Sequence, residues 1–204
     1  TTRTGVIGDR SFGPEPLLDA ADVQAAVTGL QDAGVLATLK HWPGHGSTAT
    51  DSHARLAVIG ESIATWRAQD RMPFAQSAPL VGAIMVGHLA FPALDPSGQA
   101  ATFSPKLVRD LLRGQLGYSG LIITDSLWMA PARAEGSSAQ VALRALAAGN
   151  DILLEPTRRP ESISALEAAM RTDPGAWAQS HAAARPVLPA TQNTTGHHLS
   201  PTGR

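Results

Sequence analysis

The chain has 204 residues, 43% hydrophobic and 16% charged, which is enough apolar material for one medium-sized core and argues against broad disorder. Sixteen Lys and Arg against seventeen Asp and Glu leave a formal charge of −1, without the basic excess that binding a nucleic-acid backbone demands. The absence of cysteine excludes a disulfide framework, a thiol nucleophile and a thiolate metal site, and no apolar run approaches the roughly 18 residues of a membrane span.

Residues 1–16 hold Gly5, Gly8, Gly13, Pro14 and Pro16 and read as loop. Residues 22–33 read as an amphipathic helix closed by Gly34. Four short apolar runs then mark strands buried on both faces: 35–39, 81–86, 121–123 and 151–154. Between them, 63–74 reads as a helix whose end is limited by Pro73. Residues 106–116 form another, with Ser104 as N-cap and Pro105 at its first position. Residues 140–148 precede Gly149, and 163–171 follow Pro160-Glu161-Ser162. Strand alternating with helix predicts an α/β fold of parallel β/α units. Past Pro174 the composition turns polar. Residues 181–185 suit a short helix, whereas 191–204, with the adjacent His197 and His198, read as a mobile tail. Residues 1–190 are therefore expected to form the domain.

Polar residues follow each strand, at the edge where β/α enzymes assemble their sites. The densest cluster runs Lys40-His41-Trp42-Pro43-Gly44-His45-Gly46 and on to Asp51-Ser52-His53. Pro and two glycines let the chain bend sharply towards a ligand. Asp51, two residues before His53, is placed to orient the imidazole for proton transfer near neutral pH. His41, His45, Asp51, His53 and His88 are also competent metal ligands, although Lys40 beside them opposes a cation and the spacing fits no helical zinc motif. A second centre is Asp125, directly after a strand, where a carboxylate is costly to desolvate unless it is bonded or used. Capping of the next turn, nucleophile and general base all suit it.

The segment 40–53 closely resembles the loop signature of bacterial β-N-acetylglucosaminidases in glycoside hydrolase family 3. Three further blocks agree in order. Ile7-Gly8-Asp9-Arg10-Ser11-Phe12-Gly13 resembles the family's Arg-Ser-Phe loop. Ile84-Met85-Val86-Gly87-His88 with Pro92-Ala93-Leu94-Asp95 resembles the block on the next strand, and Ala101-Thr102-Phe103-Ser104-Pro105 leads towards Asp125. The resemblance implies a (β/α)8 TIM-barrel fold and a retaining hydrolysis of terminal β-linked N-acetylglucosamine, from peptidoglycan fragments or chitin-type saccharides. Asp125 is implied as nucleophile, His53 as acid/base paired with Asp51, and Arg10, Lys40, His41 and His88 as substrate contacts. It implies no metal and no organic cofactor, a small saccharide as partner, and no assigned compartment. Some relatives pass the sugar to phosphate instead of water. The family's pattern continues upstream of the Arg-Ser-Phe loop, so the chain is expected to be N-terminally truncated, its barrel incomplete and one strand edge open. Two other readings remain at this stage: a vestigial saccharide-binding fragment and a metal-dependent hydrolase.

Overall fold

The computed structural model describes residues 5–178 and 180–183. The expected tail at 191–204 and part of the expected helix at 181–185 lie outside these residues. A three-stranded parallel sheet, in the order β1 (Thr38–Trp42), β3 (Ala83–Val86), β5 (Leu121–Thr124), forms the centre. A parallel bridge from Ile123 to Ile152 extends it by one position. Two short strands, β2 (Ala57–Val58) and β4 (Leu89–Ala90), pair separately. Helices fill the crossovers: α2 (Ile63–Ala68) and α3 (Arg71–Ser77) between β1 and β3, and a π-helix, Lys106–Gln115, between β3 and β5. The short α4 (Ala130–Arg133) and then α5 (Ser138–Ala148) lead to the Ile152 bridge, and α6 (Arg159–Thr172) follows it. Parallel neighbours joined by helices form an arc of a β/α barrel. Among the described residues, the outer edge of β1 carries no paired strand, as expected for an incomplete barrel.

Local sequence explains most element ends. α1 (Pro16–Asp32) starts at a proline in its first turn, where the missing N–H costs nothing, so the helix begins earlier than the expected 22–33. The loop-like start also tightens into a 3-10 turn at Gly8–Arg10. The single helix expected at 63–74 is two helices broken at Gln69-Asp70, because Pro73 is tolerated only within a first turn, here that of α3. α5 carries the capping box Ser137–Gln140 and stops at Gly149, whose φ of 109° is left-handed. The run 151–154 yields one bridge rather than a strand. Its Asp151 side chain instead accepts from the Ile122 N–H at 2.7 Å and pairs with Arg113.

The displacement that matters for the site is that of β1, which covers Thr38–Trp42 instead of 35–39. Val35 and Leu36 stay exposed, while Trp42 is wholly buried. The Trp42 indole meets Trp66 and Phe74 edge-on, with centroids 5.8 and 5.3 Å away, and its N–H donates to the Leu107 carbonyl at 2.9 Å. Burial of that ring draws the strand forward through Lys40 and His41. Ile84, Val86, Ile122, Leu107 and Leu112 complete the main core. A second cluster, including Phe103, Leu127 and Val141, lies under α5.

Candidate active site

Strand register places the first site residue. Lys40 pairs with Met85 and Trp42 with Val86, so His41 is the extra residue of a β-bulge. Glycine at position 87 gives the bulge room: a Cβ there would press on the His41 Cβ at 3.0 Å. Asp125 follows the last residue of β5, and its N–H donates to the Val86 carbonyl at 2.9 Å. The ends of β1 and β5, which flank β3, therefore bring His41 Nε2 to 3.6 Å from Asp125 Oδ2, close but beyond a hydrogen bond. One carboxylate oxygen of Asp125 accepts from the Ser126 N–H at 2.9 Å, which turns the group towards the strand ends.

The loop after β1 carries the other residues. Gly44, at φ 146°, lies so close to Asp70 that a Cβ would come within 2.5 Å of the Asp70 Cβ, and the Trp66 indole donates to the Pro43 carbonyl at 2.9 Å. Burial, and then the neighbouring Glu61 carboxyl, push Asp70 up to about 8, so a protonated acid sits beneath the turn at neutral pH. Further along, Asp51 Oδ1 accepts from the His53 backbone N–H at 2.9 Å and from His53 Nδ1 at 2.7 Å. These bonds hold the Asp51 carboxyl below its ordinary range, the backbone N–H contributing most. A carboxylate only accepts, so Nδ1 carries the proton and Nε2 points away from the pair. Both side chains are exposed, and the loop joins the Asp125 side of the sheet through the Ala130 N–H, which donates to the His53 carbonyl at 3.3 Å.

Arg10, Lys40 and His41 line one cavity of about 490 Å³ between α1, β1 and the Gly8–Arg10 turn. Asp125 and His53 are not on its wall. His45, a candidate by sequence only as a metal ligand, shares this cavity and forms a 2.8 Å hydrogen bond with Ser52, one residue before His53. Its position between two glycines is the sequence signal for that role. Of the expected substrate contacts, His88 lies off this cavity. It is fully buried, its Nε2 donates to the Ser126 carbonyl at 2.9 Å, and its Nδ1 accepts from the Thr102 hydroxyl at 2.9 Å. With both nitrogens engaged by protein, His88 braces the turn after Asp125 from below. Among the described residues no three His, Asp or Glu side chains converge on a point that could hold a metal ion.

Burial makes this site sensitive to pH. It lowers His41 to about 4, with Asp125 opposing the shift and Lys40, His45 and Arg10 reinforcing it. His45 and His88 are lowered for the same main reason. Below the ordinary histidine value of 6.5 the unfolded chain binds protons that the native state refuses, so stability falls as pH drops towards about 4. Asp70 acts in the opposite direction. Its native form keeps a proton that the unfolded chain has released, so stability falls as pH rises to about 8. Urea unfolding across pH is expected to show maximal stability near pH 6.5, with a decline on the order of 2 kcal/mol towards pH 8. Asp70→Asn should flatten that alkaline decline; a decline unchanged in this variant would refute the assignment.

Parallel β/α units with ionisable side chains gathered at the strand ends define a domain of the β/α-barrel class. The chain belongs to glycosyl hydrolase family 3, whose N-terminal domain model matches residues 1–188. A Pseudomonas aeruginosa protein named Beta-hexosaminidase is 38% identical over 169 residues, 83% of this chain and 50% of its own length. Its namesake from Chromobacterium violaceum is 38% identical over 173 residues, 84% of this chain and 48% of that one. The solved structure of a family 3 beta-N-acetylglucosaminidase from Paenibacillus sp. str. FPU-7 superposes with a TM-score of 0.90 at 33% identity. It covers 100% of this chain and 40% of that one. Beta-N-acetylhexosaminidase from Beutenbergia cavernae gives 0.81 at 31% identity, covering 90% and 55%. The chain thus spans about half the length of the curated relatives it matches. Among the described residues no helix is long and apolar enough to cross a membrane.

Proposed function

We propose that this chain carries the catalytic residues of a retaining glycosidase that removes terminal β-linked N-acetylglucosamine from peptidoglycan fragments or chitin-type saccharides. One observation supports the reading above all. An imidazole held by a carboxylate at 2.7 Å sits on a loop that is hydrogen-bonded to the turn after Asp125. The names of the relatives, Beta-hexosaminidase and beta-N-acetylglucosaminidase, supply the sugar.

In the first step the Asp125 carboxylate attacks the anomeric carbon while the glycosidic C–O bond breaks. Protonated His53 gives its Nε2 proton to the departing oxygen, and the sugar is left as an ester on Asp125. In the second step neutral His53 takes a proton from a water molecule, whose oxygen attacks the same carbon and frees the Asp125 carboxylate. Asp51 stays charged throughout and stabilises the imidazolium. Arg10, Lys40 and His41, along one cavity wall, bind the sugar hydroxyls. A neutral His41 can donate to a hydroxyl without pairing with the nucleophile and masking its charge. Every bond and proton is accounted for by these side chains, the sugar and water. Phosphate is an alternative acceptor in the second step, and product analysis with and without phosphate distinguishes the two.

The reading is tested in the full-length protein with para-nitrophenyl N-acetyl-β-glucosaminide, where absence of turnover would count against it. The acid/base role has its own signature. His53→Ala is expected to slow a natural disaccharide by roughly 10²–10⁴-fold, the usual contribution of a general acid or base. A dinitrophenyl glycoside needs little protonation, so its first step should survive and the glycosyl ester should accumulate, visible by intact mass. Equal slowing of both substrates without a trapped ester would remove His53 from the role.

A further inference from the structure

The turn after β5 carries a feature that neither catalytic step uses. Trp128 is 60% exposed, although Leu127 before it and Met129 after it are buried. This exposure does not come from a loose segment. The Leu127 N–H donates to the Leu154 carbonyl at 2.9 Å and the Met129 N–H to the Ser126 carbonyl at 3.1 Å. The Trp128 N–H donates to the Ser126 hydroxyl at 3.3 Å, and that hydroxyl donates to Glu155 at 2.7 Å. Arg133 lies 5.9 Å from the ring centroid and covers one face of the indole, leaving the other to solvent. The turn is also tied to both catalytic centres: it begins at Asp125, and Ala130, its neighbour at the far end, is bonded to the carbonyl of His53.

We infer that Trp128 is a stacking platform for the leaving-group sugar, and so a specificity-determining residue. The inference rests on the glycosidase reading above. An acid that protonates the glycosidic oxygen must lie beside the departing sugar, and the turn bonded to the His53 loop presents its one large apolar surface there. The cavity lined by Arg10, Lys40 and His41 does not include Trp128, so it serves the sugar on the other side of the cleaved bond. A pyranose ring has an apolar face of C–H groups that packs on an indole, while Arg133 and Glu155 at the rim offer a donor and an acceptor to its hydroxyls. A methyl leaving group has no such face.

Turnover of N,N′-diacetylchitobiose and of methyl N-acetyl-β-glucosaminide is compared in the full-length protein and in its Trp128→Ala and Trp128→Phe variants. In Trp128→Ala the ratio of kcat/KM for the disaccharide to that for the methyl glycoside should fall about 10–100-fold, mainly through KM, as for an aromatic anchor. Trp128→Phe should recover most of it. Equal losses on both substrates, the outcome if Trp128 merely supports the turn or packs against other parts of the polypeptide, would overturn the inference. Indole fluorescence provides an independent arm, with Asp125→Asn binding the disaccharide uncleaved. A signal for the disaccharide that vanishes on adding Trp128→Ala, in a protein that turns over neither substrate, would uphold the platform and reject hydrolysis alone. Turnover with no Trp128-dependent signal and no change in the ratio would reject the platform alone. Neither turnover nor signal would reject both.

Discussion

Asp125→Asn is expected to lower kcat by about ten-thousand-fold or more, with natural and activated substrates affected alike. The amide has nearly the shape of the carboxylate, and it can still accept the Ser126 N–H bond through its oxygen. Folding should therefore survive. What is lost is a negative charge facing an oxocarbenium-like transition state, and a nucleophile able to form a glycosyl ester. A dinitrophenyl leaving group relieves only the need for protonation, so it should not rescue this variant as it rescues His53→Ala. Steady-state kinetics on both substrates, with intact-mass analysis for a trapped ester, check the result. A trapped ester in Asp125→Asn would show that another residue is the nucleophile.

Trp42→Ala is expected to be the most destabilising single change near the site. Removing a fully buried indole packed between Trp66 and Phe74 leaves a cavity, and large-to-small aromatic changes of this kind cost about 3–5 kcal/mol. The Leu107 carbonyl also loses its indole donor but stays paired within the π-helix, so this adds only about 0.5–1.5 kcal/mol. Against a total of about 5–15 kcal/mol for an ordinary domain, this is enough to leave a large fraction unfolded. Trp42→Phe keeps most of the packing and loses the hydrogen bond, so it should fall between. Chemical denaturation of the three proteins measures the order. A loss below about 1 kcal/mol in Trp42→Ala would show that the ring does not anchor β1.

The two changes meet at one place in the fold. Trp42 is the residue after His41, and its burial holds the bulge that faces Asp125. Partial loss of Trp42 packing should therefore raise KM through His41 even in variants that remain folded, such as Trp42→Phe.

Much of this arrangement was legible without coordinates. Short apolar runs ending in Lys40-His41, Gly87-His88 and Asp125 predicted parallel strands with polar groups at one edge, and β1, β3 and β5 are those strands. Such reading works because a strand buried on both faces must be apolar along its length, so chemistry is confined to its end. The Asp51–His53 pair was equally legible, since two residues of separation suffice for the bond that forms. Ser104 and Pro105 likewise announced a helix start, and the Ser104 hydroxyl accepts the Leu107 N–H at 3.1 Å. That helix is π-type rather than ordinary, with the Leu116 N–H reaching the Leu111 carbonyl, and no local residue signalled it.

Composition and spacing by themselves determined the class of fold and the loops and strand ends that carry the ionisable side chains. These depend on contacts within a few residues, and local chemistry encodes them. Tertiary structure alone decided the register of β1, the bulge that turns His41 to Asp125, the burial of His88 and the exposure of Trp128. Each of these depends on partners distant in the chain. Leu107, which receives the Trp42 indole, lies 65 residues away, and Ser126, which receives His88, lies 38 away. An apolar or imidazole side chain reads the same in sequence whether it faces core or solvent, and only the surface packed against it settles which.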